Sequence, residues 1–106
     1  MIGNREGLGE FEQLALLAVS RLGKEAYGTT IREAIESATE RKISIGALYT
    51  TLDRLQSKGY VSSELGEPTP ERGGRAKRYF TITASGVGAV KRAVQAVRNL
   101  APLEYF

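Results

Sequence analysis

No cysteine and no histidine occur in this chain of 106 residues. Without cysteine there is no disulfide, no thiolate metal ligand and no thiol nucleophile. Without histidine the commonest general base and the commonest metal ligand are missing together. No Gly-rich phosphate loop and no dense acidic cluster replaces them, so no catalytic residue, metal site or cofactor is expected. No apolar run approaches the length needed to cross a bilayer. The opening residues Met1–Glu6 lack the charged-then-apolar layout of a signal peptide, and the chain is read as cytoplasmic with no membrane contact. What it does contain, 42% apolar and 25% charged residues, is the make-up of an ordinary globular domain. Its length allows one such domain with a modest core.

The formal charge of +3 is unevenly spread. Arg72, Arg75, Lys77 and Arg78 place four positive charges and no negative one within seven residues, and without them the rest of the chain stands at −1. A basic cluster this local is the arrangement expected of a polyanion contact. The competing reading is a solvated loop that is merely basic.

Periodicity divides the chain into short elements. Residues 1–8 read as a loose arm. A helix is predicted from about Glu10 to Leu22, with Phe11, Leu14, Ala15, Ala18 and Leu22 on one face. Leu16, Leu17 and Val19 make its other sides apolar too, so it must be covered on more than one side; Gly23 stops it. A second helix spans about Gly28 to Thr39 on Ile31, Ala34, Ile35 and Ala38, and the Thr30/Glu33 capping-box spacing permits a start two residues later. Ser44 caps a third helix through about Lys58 with Leu48, Leu52 and Leu55 inward, and Gly59 ends it. Residues 60–65 and 77–83 alternate as strands about a Pro- and Gly-containing loop, 66–76, and form a hairpin. Thr83 then caps a last helix over about Ala84 to Ala101, ended by Pro102. Gly86 and Gly88, each about 1 kcal/mol worse than Ala in a helix, are expected to loosen its start. No repeat or interdomain linker is present.

Three helices followed by a hairpin define a mainly α winged helix-turn-helix, in which the hairpin is the wing. The expected division is a flexible arm (1–8), a winged helix-turn-helix domain (9–83), a C-terminal dimerisation helix (84–101) and a tail (102–106). In such a fold the second helix of the pair enters the DNA major groove, and its first turn meets base edges. Here that helix turns Gly46, Ala47, Tyr49, Thr50, Asp53 and Arg54 away from the leucine stripe. Gly46 and Ala47 let the backbone approach a groove wall. Tyr49 and Thr50 can donate to phosphates or bases, and Arg54 can pair with phosphate. Tyr49 could instead pack partly on the core, and Arg54 could instead pair with Asp53 or Glu64. In the wing, Gly73 and Gly74 permit a tight tip. Arg72 and Arg75, planar and permanently charged, flank it with Lys77 beyond. An RGG-type RNA contact fits less well, because such segments act as disordered repeats and this one is a single copy inside a hairpin.

These residues, taken in order, resemble the PadR family of bacterial transcriptional regulators from about Phe11 to Leu100. The resemblance rests on Tyr27-Gly28, on Ser44-Ile45-Gly46-Ala47-Leu48-Tyr49, and on Leu52-Asp53-Arg54-Leu55-Gln56-Ser57-Lys58-Gly59-Tyr60. It continues through Arg72-Gly73-Gly74-Arg75-Ala76-Lys77-Arg78-Tyr79-Phe80-Thr81-Ile82-Thr83 to Gly86. It implies a homodimeric repressor on a palindromic operator in double-stranded DNA, often released by a small-molecule effector such as a phenolic acid or drug. Tyr49 and the segment Arg72, Gly73, Gly74, Arg75 and Lys77 would be its DNA contacts. With one helix after the wing, the chain is similar to the short subgroup. It lacks the tryptophan that some short members place in a pocket at the dimer centre.

The last helix carries Val87, Val90, Val94, Val97 and Ala101 at alternating spacings of three and four, a seam of about two heptads. The seam could cover the protomer's own core. A helix at the end of the fold has few elements left to cover it, however, and the first helix has apolar surface to spare at Leu14 and Leu17. Packing one against the other across a two-fold axis would bury both and set two recognition helices about one DNA turn apart. A winged-helix protein-interaction module, or a small-molecule sensor without operator binding, is the alternative use of the same fold.

Overall fold

The helix starts are set by local hydrogen bonds that the side chains at each start supply. Ser44 Oγ accepts from Ala47 N at 3.1 Å, and Thr83 Oγ1 accepts from Gly86 N at 3.1 Å, each satisfying one of the orphan donors of a first turn. The structure, a computed structural model, describes residues 7–67 and 76–102. The elements run α1 (Glu10–Leu22), a 3-10 turn (Gly23–Glu25), α2 (Gly28–Thr39), α3 (Ile45–Ser57), β1 (Val61–Leu65), β2 (Arg78–Ile82) and α4 (Ala84–Leu100). This is the expected helix, helix, helix, hairpin, helix order. Thr30 does not open α2. Tyr27 is the N-cap, and its N–H donates to Thr30 Oγ1 at 3.0 Å.

α1 is the wall that the other elements share: α2, α3, β2 and α4 all pack on it. That accounts for a helix apolar on nearly every side. Its deepest residues are Ala15, Leu16 and Val19, with Ile31, Ile35, Leu48, Leu52, Leu55 and Phe80 completing the core. Phe11, Leu14 and Leu22, placed on the main face by spacing alone, are only half-buried, and Ala38 of α2 is exposed. The buried side of α1 thus takes in Leu16 and Val19 together with Ala15 and Ala18 of the predicted face.

β1 and β2 are antiparallel, with Val61 opposite Ile82, Ser63 opposite Phe80 and Leu65 opposite Arg78. A lone two-stranded hairpin is marginal in water, and here it has further support. Phe80 N–H donates to Ala26 O at 2.9 Å, and Tyr27 forms an antiparallel bridge with Tyr79. The link between α1 and α2 thus serves as a rudimentary third strand. Nothing in its two residues' periodicity announces this.

Glu12 is 6% exposed, yet it has a full set of partners. Its Oε1 accepts from Gly9 N at 2.8 Å, and both carboxylate oxygens accept from Lys58 Nζ, at 3.1 and 3.0 Å. Lys58 also donates to Gly7 O at 3.0 Å. One buried pair therefore joins the first turn of α1 to the end of α3. Breaking such a pair from one side leaves an uncompensated charge.

Gly86 corrects the expectation of a loose α4. It is buried, and a Cβ there would overlap the Tyr60 carbonyl and lie 2.9 Å from Ile82 Cγ1. Thr83 seals the same corner, donating from N to Tyr60 O at 3.0 Å and from Oγ1 to Gly59 O at 2.7 Å. The glycine is a close-approach residue rather than a weak point. Behind it Ala89 and Val90 enter the core, whereas 95–100 are exposed all round, so α4 leaves the domain as it runs on. Among the described residues no helix is long and apolar enough to cross a membrane.

Two outcomes are expected in urea unfolding. Glu12→Ala should lower stability by about 3 kcal/mol or more with little change in m, and replacing both partners (Glu12→Leu with Lys58→Met) should recover part of that loss. Gly86→Ala should destabilise by about 1–3 kcal/mol through overpacking. Helix propensity alone predicts a gain of about 1 kcal/mol for that change, so the sign of the effect tests the close approach.

Candidate nucleic-acid interface

The first turns of α3 present a surface with little side chain on it. Leu48, Thr51, Leu52 and Leu55 face inward. Gly46, Ala47, Thr50, Asp53 and Arg54 are exposed on the opposite side, where the leucine spacing put them. Small residues there leave the helix backbone approachable, as entry into a major groove requires.

Tyr49 divides between the two readings open for it. It is half-buried, with its ring 6.3 Å from that of Phe80, so the body of the side chain belongs to the core. Its hydroxyl reaches the start of α2, against Gly28, where a Cβ would overlap it. That close approach explains the glycine of the Tyr27-Gly28 pair. A phenol held by its ring while its polar end reaches another element's terminus is placed by packing rather than by hydrogen bonding.

The basic segment separates into parts with different surroundings. Arg72, Gly73, Gly74 and Arg75 lie outside the described residues. Lys77 Nζ stands 4.4 Å from the centroid of the Tyr27 ring, which itself meets Tyr79 edge-on at 5.4 Å. Lys77 is exposed and leaves the hairpin on its outer face.

Arg78 points the other way. Strand alternation puts it on the side of Phe80, and its guanidinium lies 4.9 Å from that ring. Nη1 pairs with Asp53 Oδ1 at 3.0 Å, Nη2 donates to Gln56 Oε1 at 3.0 Å, and Nε donates to Ser63 Oγ at 3.1 Å. Ser63 Oγ in turn donates to Gln56 Oε1 at 2.7 Å. One residue of the basic cluster thus ties α3 to both strands, and it neutralises the one carboxylate on the exposed face of α3. Spacing had counted Arg78 only as charge. The alternation with Phe80 was the available sign of its inward role. Arg54 pairs with neither Asp53 nor Glu64 and makes no ion pair with a described residue. It is exposed on the α3 surface.

The residues expected at a dimer interface fall into two groups. Val90 is 6% exposed and sits in the protomer's own core. It is withdrawn from the seam, because the first half of α4 covers α1. Leu17 at 43% and Val97 at 58% stay open, as does Val87, with Leu14, Val94 and Ala101 half-buried. Leu17, Val90 and Val94 floor an open groove of about 570 Å³ rimmed by Lys91, Arg92 and Arg98. No group of side chains suited to holding a metal ion occurs among the described residues.

Comparison with known proteins adds to this geometry. The family described as transcriptional regulator PadR-like matches residues 16–92. A search of curated proteins finds no match. Among solved structures, the chain is similar to a PadR family transcription regulator of Clostridium difficile, with 23% identity, a TM-score of 0.73, and 87% of this chain and 91% of that one covered. It is also similar to a PadR-like transcription factor of Bacteroides fragilis at 22% identity and TM-score 0.72, covering 85% and 82%. A third likeness is to a transcriptional regulator of Clostridium thermocellum at 25% identity and TM-score 0.71, covering 92% and 89%. At 22% and 23% identity the first two establish a shared fold.

The Arg78 tie has a measurable consequence. Arg78→Ala should cost about 1–2 kcal/mol in urea unfolding, since it removes a partly exposed ion pair together with charge-assisted hydrogen bonds and stacking. Asp53→Ala should cost less, about 0–1 kcal/mol, because it removes the exposed pair alone.

Proposed function

The chain belongs to the PadR-like family of transcriptional regulators, and from that premise we propose a homodimeric repressor that binds a palindromic operator in the cytoplasm. As a family member it is a DNA-binding regulator of transcription. The observation that carries the finer reading is the pairing of two features at one end of the domain. One is the uncluttered start of α3. The other is a hairpin, locked to that helix through Arg78, on which Lys77 stands exposed.

In this reading α3 enters the major groove, with Gly46, Ala47 and Thr50 near the base edges. The Tyr49 hydroxyl and Arg54 meet phosphates on either side. The wing segment Arg72, Gly73, Gly74, Arg75 and Lys77 lies along the backbone and holds phosphate more than it reads sequence. No catalytic role is proposed, and no cofactor is needed. The dimer forms where α4 leaves its own domain. Val87, Val94, Val97 and Ala101 of one subunit cover Leu14 and Leu17 of the other, and exposed apolar surface of this kind is what two-fold association buries. A small-molecule effector would act from the groove beside Leu17 and Val94, by changing the spacing of the two recognition helices.

Fluorescence anisotropy with duplex from the protein's own promoter region is the direct test. Affinity should exceed that for random duplex and fall steeply with salt. The log–log slope should be about −0.9 for each phosphate contacted, and shallower by about two contacts in the Arg72→Ala/Arg75→Ala variant. Equal affinity for both duplexes at moderate salt would refute operator binding. Val97→Glu, at an exposed site, should leave the thermal transition of the protomer in place and convert the protein to a monomer in light scattering.

A further inference from the structure

The first turn of α3 has no side chain able to make a forked hydrogen bond to a base. Ser44 spends its hydroxyl on Ala47 N. Gly46 faces open space, and Ala47 ends in a methyl group. Further along, Asp53 is held by Arg78 and Gln56 Oε1 accepts from both Ser63 and Arg78, and the exposed Arg54 lies more than two turns from the helix start. The bidentate pairs that read guanine or adenine need an Arg, Lys, Asn or Gln. Within this turn none is present.

Ile45 is present. It is the first residue of α3, an apolar β-branched side chain that is 40% exposed at the end of the helix that would lead into the groove. The other large core residues of this helix, Leu48, Leu52 and Leu55, are fully buried. The one apolar landmark in the major groove is the C5-methyl group of thymine, and contact with it separates A·T and T·A from the other pairs. We infer that Ile45 is a specificity-determining residue, which reads thymine methyl groups with help from Ala47 and the methyl of Thr50. Sequence preference at the first turn then comes from apolar complementarity and not from a hydrogen-bond code. The inference rests on the reading of α3 as the groove helix and names what that helix recognises.

The test uses the full chain and duplexes selected with it from a random library. In each half-site of the selected sequence, single thymines are replaced by deoxyuridine, which removes the methyl group and nothing else. For the wild-type protein, one or two replacements per half-site should weaken binding about fourfold each, the equivalent of ~0.8 kcal/mol for one methyl-sized group removed from water. With Ile45→Ala the same replacements should cost much less than fourfold each. Because the side chain is lost from both half-sites, the variant should bind the thymine duplex more weakly than wild type by about 16-fold or more, with a cooperative thermal transition retained. A selected duplex on which no thymine replacement weakens the wild type would overturn the inference while leaving operator binding standing. So would a replacement cost that persists undiminished in Ile45→Ala. Selection that enriches no sequence would overturn operator binding itself, and the inference with it.

Discussion

Phe80 lies 1% exposed at the point where the hairpin meets the helices. Its N–H donates to Ala26 O at 2.9 Å, its ring faces that of Tyr49, and the Arg78 guanidinium covers it from the strand side. A hairpin of ten strand residues has too little pairing to hold itself in place. Burial of one aromatic ring on β2 is worth several kcal/mol when lost, and it fixes where the wing stands relative to α3. Tyr49 is positioned by the same ring. The surfaces that the proposed DNA contact uses are therefore consequences of one core residue.

The two ion pairs joining distant elements do different work. Glu12 and Lys58 are both largely removed from water, and their pairing is hydrogen-bonded through to Gly9 and Gly7. Such a pair adds little net stability over an apolar substitute but tolerates only one arrangement of α1 and α3. Arg78 and Asp53 are far more exposed, and their direct attraction is screened. Their importance is electrostatic housekeeping at the surface of α3. An unpaired carboxylate there would repel phosphate, and Arg78 removes that charge without projecting its own. Of the four cations clustered in the sequence, Arg78 is thereby turned to structure, while Lys77 is exposed beside the Tyr27 ring.

α4 shows how one amphipathic stripe can be divided between two purposes. Near its start, Gly86, Ala89 and Val90 are small enough to seat against Tyr60, Ile82 and α1. From Gln95 to Leu100 every residue of the helix is exposed, Val97 and Leu100 among them. The change of environment falls within the valine seam, which is why its regular spacing could not show which valines face inward.

The sequence by itself determined the order and bounds of the elements to within a residue or two. Caps and stops act over three or four residues, and Ser44, Thr83, Gly59 and Pro102 carry them locally. It also determined the family, and the leucine stripe that turns Gly46, Ala47 and Thr50 outward. Tertiary structure alone decided which side of α1 is deepest, that Ala26 and Tyr27 brace the wing, that Gly86 is a tight contact, and that Val90 belongs to the core. It alone set Arg78 between Asp53, Gln56 and Ser63. Each of these depends on residues far apart in the chain meeting across an interface, and neither period nor propensity along one segment contains that information.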